Sequence, residues 1–142
     1  MNKACRVVFF VFVFFGFIKS TLLYAAPTFW VAVSFSMPDA ALQALHKDVT
    51  QAGGVLAVRG LYKNSFAKMA KKIHALGIAV HIDPEGFERA SIACVPTFVV
   101  EEGKKCDTLS GHISTQEALQ RINQDGACQG IQSLIDALDP PL

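Results

Sequence analysis

Apolar residues recur along the chain with two alternating periods, which predicts strands alternating with helices. Residues 29–35 (FWVAVSF) are aromatic and β-branched and predict a first strand. Ser36 is predicted to be the N-cap of the first helix, because Pro and Asp follow it at helix-start positions. The apolar face of this helix comprises Leu42, Leu45, Val49 and Ala52. Glycines at 53–54 end it, and residues 55–58 predict a short buried strand.

The next part of the chain repeats the helix–strand order. Asn64 or Ser65 is predicted to cap a second helix. Its apolar stripe comprises Phe66, Met69, Ile73 and Leu76. Gly77 ends this helix, residues 78–82 predict a third strand, and residues 83–90 predict a turn or a single helical turn.

A hairpin and two helices complete the pattern. Residues 98–100 and 104–109 predict paired strands joined by a turn at 102–103 (Glu-Gly). Ser114 and Glu117 form a capping box that opens the next helix. The apolar residues of the last two helices are Ala118, Leu119, Ile122, Ile131, Leu134, Ile135 and Leu138. This element order predicts an α/β domain with a central mixed sheet flanked by helices.

The N-terminal segment differs from the rest of the chain. Residues 7–18 are apolar apart from one glycine, cations precede them, and small residues follow. This layout predicts a signal peptide over residues 1–26, cleaved after Ala25 or Ala26. The alternative is an uncleaved membrane anchor, but the apolar run is shorter than the roughly 20 residues that span a bilayer. The predicted mature domain is residues 27–142.

Net charge changes when the leader is removed. The leader holds three cations and no anion, so the formal charge falls from +1 for the whole chain to −2 for the mature domain. A near-neutral domain without a basic tract argues against a nucleic-acid surface. The length suits one domain.

The segment Val95-Pro96-Thr97 before the hairpin, together with the element order, resembles the thioredoxin fold. That resemblance implies that the peptide bond preceding Pro96 is cis. The alternative is a trans proline at the first position of a strand, which sheets also accept.

More specifically, the chain resembles the F-type conjugative pilus-assembly protein TrbC family. The residues that carry the resemblance are VSFSMP at 33–38, VRGL at 58–61, IDP at 82–84 with Phe87, VPTFV at 95–99, and Cys106-Asp107 with Gly111. The resemblance implies a periplasmic factor in conjugative pilus assembly, part of a type IV secretion system for plasmid transfer. It also implies other transfer proteins as partners, notably a TraW-type periplasmic protein.

Thiol–disulfide chemistry is the competing function. It needs an exposed thiolate, usually at the start of a helix, with a second cysteine nearby. Neither predicted strand-to-helix turn, at 36–39 or at 59–65, contains a cysteine. We therefore predict a non-catalytic protein; the alternative is a periplasmic thiol–disulfide oxidoreductase, isomerase or chaperone.

Three cysteines remain in the predicted mature domain, in an exported context that permits disulfides. A turn at 102–103 would place Cys106 opposite Val99, with Cys94 about 17 Å further along the hairpin at ~3.3 Å per residue. Since a disulfide needs Cα atoms within about 7 Å, a Cys94–Cys106 pair is disfavoured. We hypothesise a Cys106–Cys128 disulfide; the alternative is three reduced thiols.

By analogy with the surface that redox relatives use to hold extended polypeptide, the predicted contact surface comprises Met37, Tyr62, Val95 and Pro96. No cofactor, metal or small-molecule substrate is predicted, because the four histidines have no ligand spacing. His81 and Asp83 could share a strand face, which is more often structural than catalytic. Arg59 follows a buried strand, and Asp83 or Asp107 is its predicted charge partner if it is not simply exposed.

Overall fold

A five-stranded mixed sheet forms the centre of the protein in a computed structural model that describes residues 26–139. The strands are β1 (Thr28–Ala32), β2 (Val55–Val58), β3 (Val80–Ile82), β4 (Thr97–Glu102) and β5 (Lys105–Ser110). Their order across the sheet is β3-β2-β1-β4-β5. The predicted α/β class is confirmed, whereas the predicted leader lies, apart from its last residue, outside the described residues.

Helices cover both faces of this sheet. They are α1 (Asp39–Gln51), α2 (Phe66–Leu76), α3 (Pro84–Arg89), α4 (Thr115–Asp125) and α5 (Gln132–Leu138), with a short 3₁₀ turn at Tyr62–Asn64. Within residues 26–139, none of these helices has the length and apolarity to cross a membrane.

Strand direction explains which helix covers which face. β1, β2 and β3 are parallel and follow one another toward one edge, so α1 and α2 lie on the same face. β4 lies on the other side of β1 and is antiparallel to it. The chain returns from β3 to β4 through α3, which lies on the opposite face.

Side-chain alternation along the strands produces two cores of unequal size. The larger core contains Phe29, Val31 and Phe98 together with buried residues of α1, α2, α4 and α5. The smaller core lies under α3 and comprises Trp30, Ala32, Ala57, Phe87, Ile92 and Val99. One helix thus covers one face, and four helices contribute to the other.

The hairpin has a different register from the predicted one. Glu102 pairs with Lys105, so the loop is Gly103-Lys104, and Cys106 lies opposite Glu101 instead of Val99. Gly103 has a φ of 61°, and a two-residue hairpin loop requires a positive φ at its first position, which glycine adopts without strain. The predicted turn at 102–103 is therefore wrong by one residue.

Two of the three predicted helix caps are present. The Ser65 hydroxyl accepts the Lys68 N–H, and the Ser114 hydroxyl accepts the Glu117 N–H. Ser36 does not cap α1, because Pro38 has an extended ψ of 138° and the helix begins only at Asp39.

The apolar stripe of α2 is shorter than predicted. Met69 and Leu76 are buried and Ile73 packs against the larger core, but Phe66 is 72% exposed. Phe66 is the first residue of α2, and its side chain extends into solvent even though it has the spacing of the stripe.

Candidate functional site

A groove of about 690 Å³ lies where β1 and β2 end. Three segments form most of its lining, residues 33–36, 58–64 and 92–95, and Phe87 completes it. We refer to it as the strand-end groove. Residues at the carboxyl ends of parallel strands leave the sheet at one edge, which is where α/β proteins commonly bind ligands.

Arg59 is held in this groove by two contacts. Its Nη2 donates a hydrogen bond to the Ile92 carbonyl oxygen at 3.1 Å, and its guanidinium carbon lies 5.3 Å from the centre of the Phe87 ring. The predicted acidic partners are wrong: within the described residues no ion pair joins Arg59 to Asp83 or Asp107, and Arg59 is exposed, which was the alternative. Both carboxylates instead accept backbone N–H groups. Asp83 accepts the Gly86 N–H at 2.8 Å, and Asp107 accepts the Cys128 N–H at 2.7 Å.

An aromatic pair forms another wall of the strand-end groove. Phe35 and Tyr62 meet edge to face with ring centres 5.2 Å apart, and both are half-buried. The Lys63 Nζ lies 5.3 Å from the centre of the Tyr62 ring. Lys63 has a φ of 49°, in the left-handed region, which costs a residue with a Cβ roughly 1–2 kcal/mol.

The predicted contact residues fall into two neighbouring depressions. Tyr62 and Val95 line the strand-end groove, whereas Met37 and Pro96 line a smaller one of about 270 Å³ beside α1. The Val95–Pro96 peptide bond is cis. Met37 and Pro96 are buried, so they support this surface from below and expose little area for contact.

Each of the three described cysteines is a free thiol, and the predicted Cys106–Cys128 disulfide is not formed. The alternation of side chains along β5 explains why Cys106 and Cys128 are not paired. Asp107 lies on the sheet face that receives the Cys128 loop, so the adjacent Cys106 points to the opposite face. Cys94 is exposed and lines the strand-end groove.

Two of these thiols are poorly suited to nucleophilic chemistry. Burial, reinforced by a hydrogen bond to Asp107, raises the pKa of Cys128 to about 11. Burial and the nearby carboxylates of Glu101 and Asp107 raise the pKa of Cys106. Because the thiolate is the reactive form, neither group is activated at neutral pH.

Two acidic side chains on the hairpin hold the loop between α4 and α5, which sequence reasoning missed. Asp107 accepts N–H groups of Ala127 and Cys128, and Glu102 accepts the Gln129 N–H at 2.9 Å. Burial raises the pKa of Asp107, but these backbone hydrogen bonds outweigh it and lower the pKa below its usual value. Because these contacts join positions about 20 residues or more apart, no local sequence pattern predicts them.

Comparison with protein families decides the assignment. The family model described as "Type-F conjugative transfer system pilin assembly protein" matches residues 31–139, which is more than half of the chain. The chain belongs to this family. All the residues that line the strand-end groove lie within the matched region of this type-F pilin assembly protein.

A curated relative agrees with the type-F assignment. It is "Periplasmic protein TrbC" of Escherichia coli (strain K12), 27% identical over 104 residues. The match covers 70% of this chain but only 49% of the relative, so the chain spans about half of that protein's length. No solved structure matches significantly.

No group of three or more His, Cys, Asp or Glu residues that could hold a metal ion occurs in this type-F family member between residues 26 and 139. His81 is exposed, and Asp83 accepts the Gly86 N–H as the cap of α3. β3 ends at Ile82, before Asp83, and no hydrogen bond joins His81 to Asp83 in the described residues. The site is therefore a groove with apolar and cationic walls.

Proposed function

We propose that this protein is an exported, non-catalytic assembly factor for an F-type conjugative pilus, acting through protein–protein contact. The observation that carries the proposal is the family match over residues 31–139. The relative named a periplasmic protein supports the same compartment for this chain, after cleavage of its leader.

The arrangement of the cysteines supports a non-catalytic role. The two strand-to-helix turns that border the strand-end groove contain no cysteine. Cys94 lines the groove, whereas Cys106 is on β5 and Cys128 is buried in the loop before α5. A resolving thiol beside Cys94, which disulfide exchange requires, is thus lacking in the described part of the chain.

Genetic complementation tests the proposal. Deleting the gene from a conjugative donor should abolish or strongly reduce piliation, and the wild-type gene should restore it. A variant in which Cys94, Cys106 and Cys128 are all serine should restore piliation equally well. Full piliation without the gene would refute the assembly role, and failure of a folded triple variant would favour thiol chemistry.

An insulin-reduction assay distinguishes a non-catalytic assembly factor from a thiol–disulfide oxidoreductase, independently of the genetic test. The purified mature protein should not accelerate insulin reduction by dithiothreitol, and Cys94→Ser should leave the rate unchanged. A rate enhancement that depends on Cys94 would establish the oxidoreductase alternative.

The proposed partners are other transfer proteins, including a TraW-type periplasmic protein. Co-expression of the two mature proteins followed by size-exclusion chromatography should give one co-eluting complex. If the two proteins eluted separately at micromolar concentrations, the TraW-type protein would not be a direct partner, and the assembly role would still stand.

A further inference from the structure

We propose that the strand-end groove binds a peptide segment of a partner protein in which an Asp or Glu side chain stands beside a large apolar side chain. The inference rests on the proposed function, because it assumes that the protein acts by protein contact. It adds the chemistry by which the partner is recognised.

Charge complementarity is the first argument. Both charged residues that line the groove, Arg59 and Lys63, are cations, and no Asp or Glu lines it. The predicted mature domain has a formal charge of −2, so this excess of cations is local. A carboxylate is the peptide group that complements it.

Arg59 is already positioned to receive such a group. Arg59 is exposed, and its contacts with the Ile92 carbonyl and the Phe87 ring orient the guanidinium and leave its other N–H donors available. Within the described residues, no ion pair joins Arg59 to a carboxylate. A guanidinium held in place before binding loses little conformational entropy when a carboxylate arrives.

The remaining walls require an apolar neighbour for that carboxylate. Phe35, Tyr62 and Val95 are half-buried and line the groove beside the two cations. Aromatic side chains of this kind, together with Arg, contribute most of the binding energy in many protein interfaces. An occupant with a carboxylate alone would leave this apolar surface in contact with water.

Two other anionic partners fit the groove less well. A nucleic-acid backbone needs a row of cations that follows its phosphates, and this groove offers two. An anionic bilayer surface is flat and binds protein segments that carry about four or more cations. The groove has only two cations, and they line a concavity. A peptide can enter the concavity and reach both walls.

Selection from random peptides displayed on phage tests the proposal without assuming a partner. Peptides that bind the mature protein should be enriched in Asp or Glu adjacent to Phe, Leu or Trp. Arg59→Gln should weaken the binding of the selected peptides about tenfold, and Lys63→Gln should weaken it several-fold. Lys104→Gln is the matched control, because Lys104 is exposed in the hairpin loop outside the groove, and it should change nothing.

The native cysteines supply a second test that does not alter the cations. A bulky maleimide on Cys94, applied to the Cys106→Ser variant, should reduce peptide binding at least about tenfold, because Cys94 lines the groove. The same reagent on Cys106, applied to the Cys94→Ser variant, should have no effect.

Several results would overturn the inference. They are the absence of any binder, selected peptides without an excess of acidic residues, and equal binding by Arg59→Gln. Arg59-dependent binding to anionic phosphatidylglycerol vesicles, or a dimer that Arg59→Gln dissociates, would assign the groove to another occupant. If a folded Arg59→Gln, Lys63→Gln double variant restores piliation to a deletion strain, the groove inference fails while the assembly role stands.

Discussion

At the scale of single residues, Asp107 links two parts of the fold that are distant in sequence. Its carboxylate accepts backbone N–H groups of Ala127 and Cys128 from its place on the edge strand β5. Hydrogen bonds to an ionised acceptor are stronger than those to a neutral one. The charge on Asp107 therefore stabilises the loop that leads into α5.

We expect Asp107→Asn to lower the free energy of unfolding at pH 7 by about 1–2 kcal/mol, because the amide oxygen is a weaker acceptor than the carboxylate. The pKa of Asp107 is lowered by folding, so its stabilisation is complete above the ordinary Asp pKa of about 3.9. It is lost as the pH falls through the lower pKa of the folded state. Urea denaturation at several pH values should show the difference between variant and wild type shrinking under acid conditions.

Asp125→Asn is the matched control for this experiment. Asp125 is exposed at the end of α4, and its substitution should change stability by less than about 0.5 kcal/mol. A difference between Asp107→Asn and wild type that stays constant down to pH 2 would contradict a role for the ionised carboxylate.

The thiols give a second prediction at this scale. Cys94 and Cys106 are exposed, whereas Cys128 is buried with a pKa of about 11. Without reductant, we expect Ellman's reagent to titrate two thiols in the native mature protein and a third only after denaturation. If only one thiol were titrated in the denatured protein, two of the three cysteines would be joined by a disulfide.

At the scale of elements, the tight passage from α1 into β2 depends on Gly54. A Cβ built there would lie 2.5 Å from Phe29 Cδ1 and 2.9 Å from the Phe29 backbone oxygen. The backbone of β1 cannot move away easily, since β1 is the central strand of the sheet.

We expect Gly54→Ala to destabilise the protein by about 1–3 kcal/mol through overpacking. Gly60→Ala is the control, because a Cβ at Gly60 has no atom within 4 Å, and its effect should stay within about 0.5 kcal/mol. Thermal unfolding followed by circular dichroism measures both. If Gly54→Ala and Gly60→Ala had equal melting temperatures, the structure around Gly54 would accommodate the added methyl group without loss of stability.

The same elements show where sequence reasoning succeeds. Residues 55–58 were predictable as a strand because glycines precede a continuous apolar run there. The N-cap at Ser114 is equally local, since its hydroxyl and the Glu117 N–H lie within one helical turn. The binary pattern therefore predicted the α/β class and the order of the elements, whereas β1 ends at Ala32, three residues before the predicted end.

The errors occur where one residue or one distant contact decides the outcome. The hairpin register depends on which loop position Gly103 occupies, and both positions fit the same composition. Arg59 and Asp107 make hydrogen bonds with backbone groups far away in sequence, the Ile92 carbonyl and the Cys128 N–H, which no local pattern reveals. The strand-end groove itself arises only when three separate segments meet at one edge of the sheet.

At the scale of the whole molecule, the two faces of the sheet have unequal cores. Among residues 26–139, the larger core contains 20 buried residues, and the smaller core under α3 contains six. Trp30, the only tryptophan, belongs to the smaller core and donates its indole N–H to Glu101 at 3.2 Å. Stability in a domain is not uniform, and the region with fewer buried apolar contacts opens first.

We therefore expect native-state hydrogen exchange to be faster for α3 and the residues after it than for α4. The N–H groups of Phe87, Ala90 and Ile92 are bonded only within this segment, to Asp83, Gly86 and Phe87 in turn. Their protection should be at least about tenfold lower than that of the Leu119 and Ile122 amides, a difference of about 1.4 kcal/mol. Equal protection in α3 and α4 would mean that both faces unfold as one unit. In that case the Phe87 wall of the strand-end groove would be as rigid as the main core.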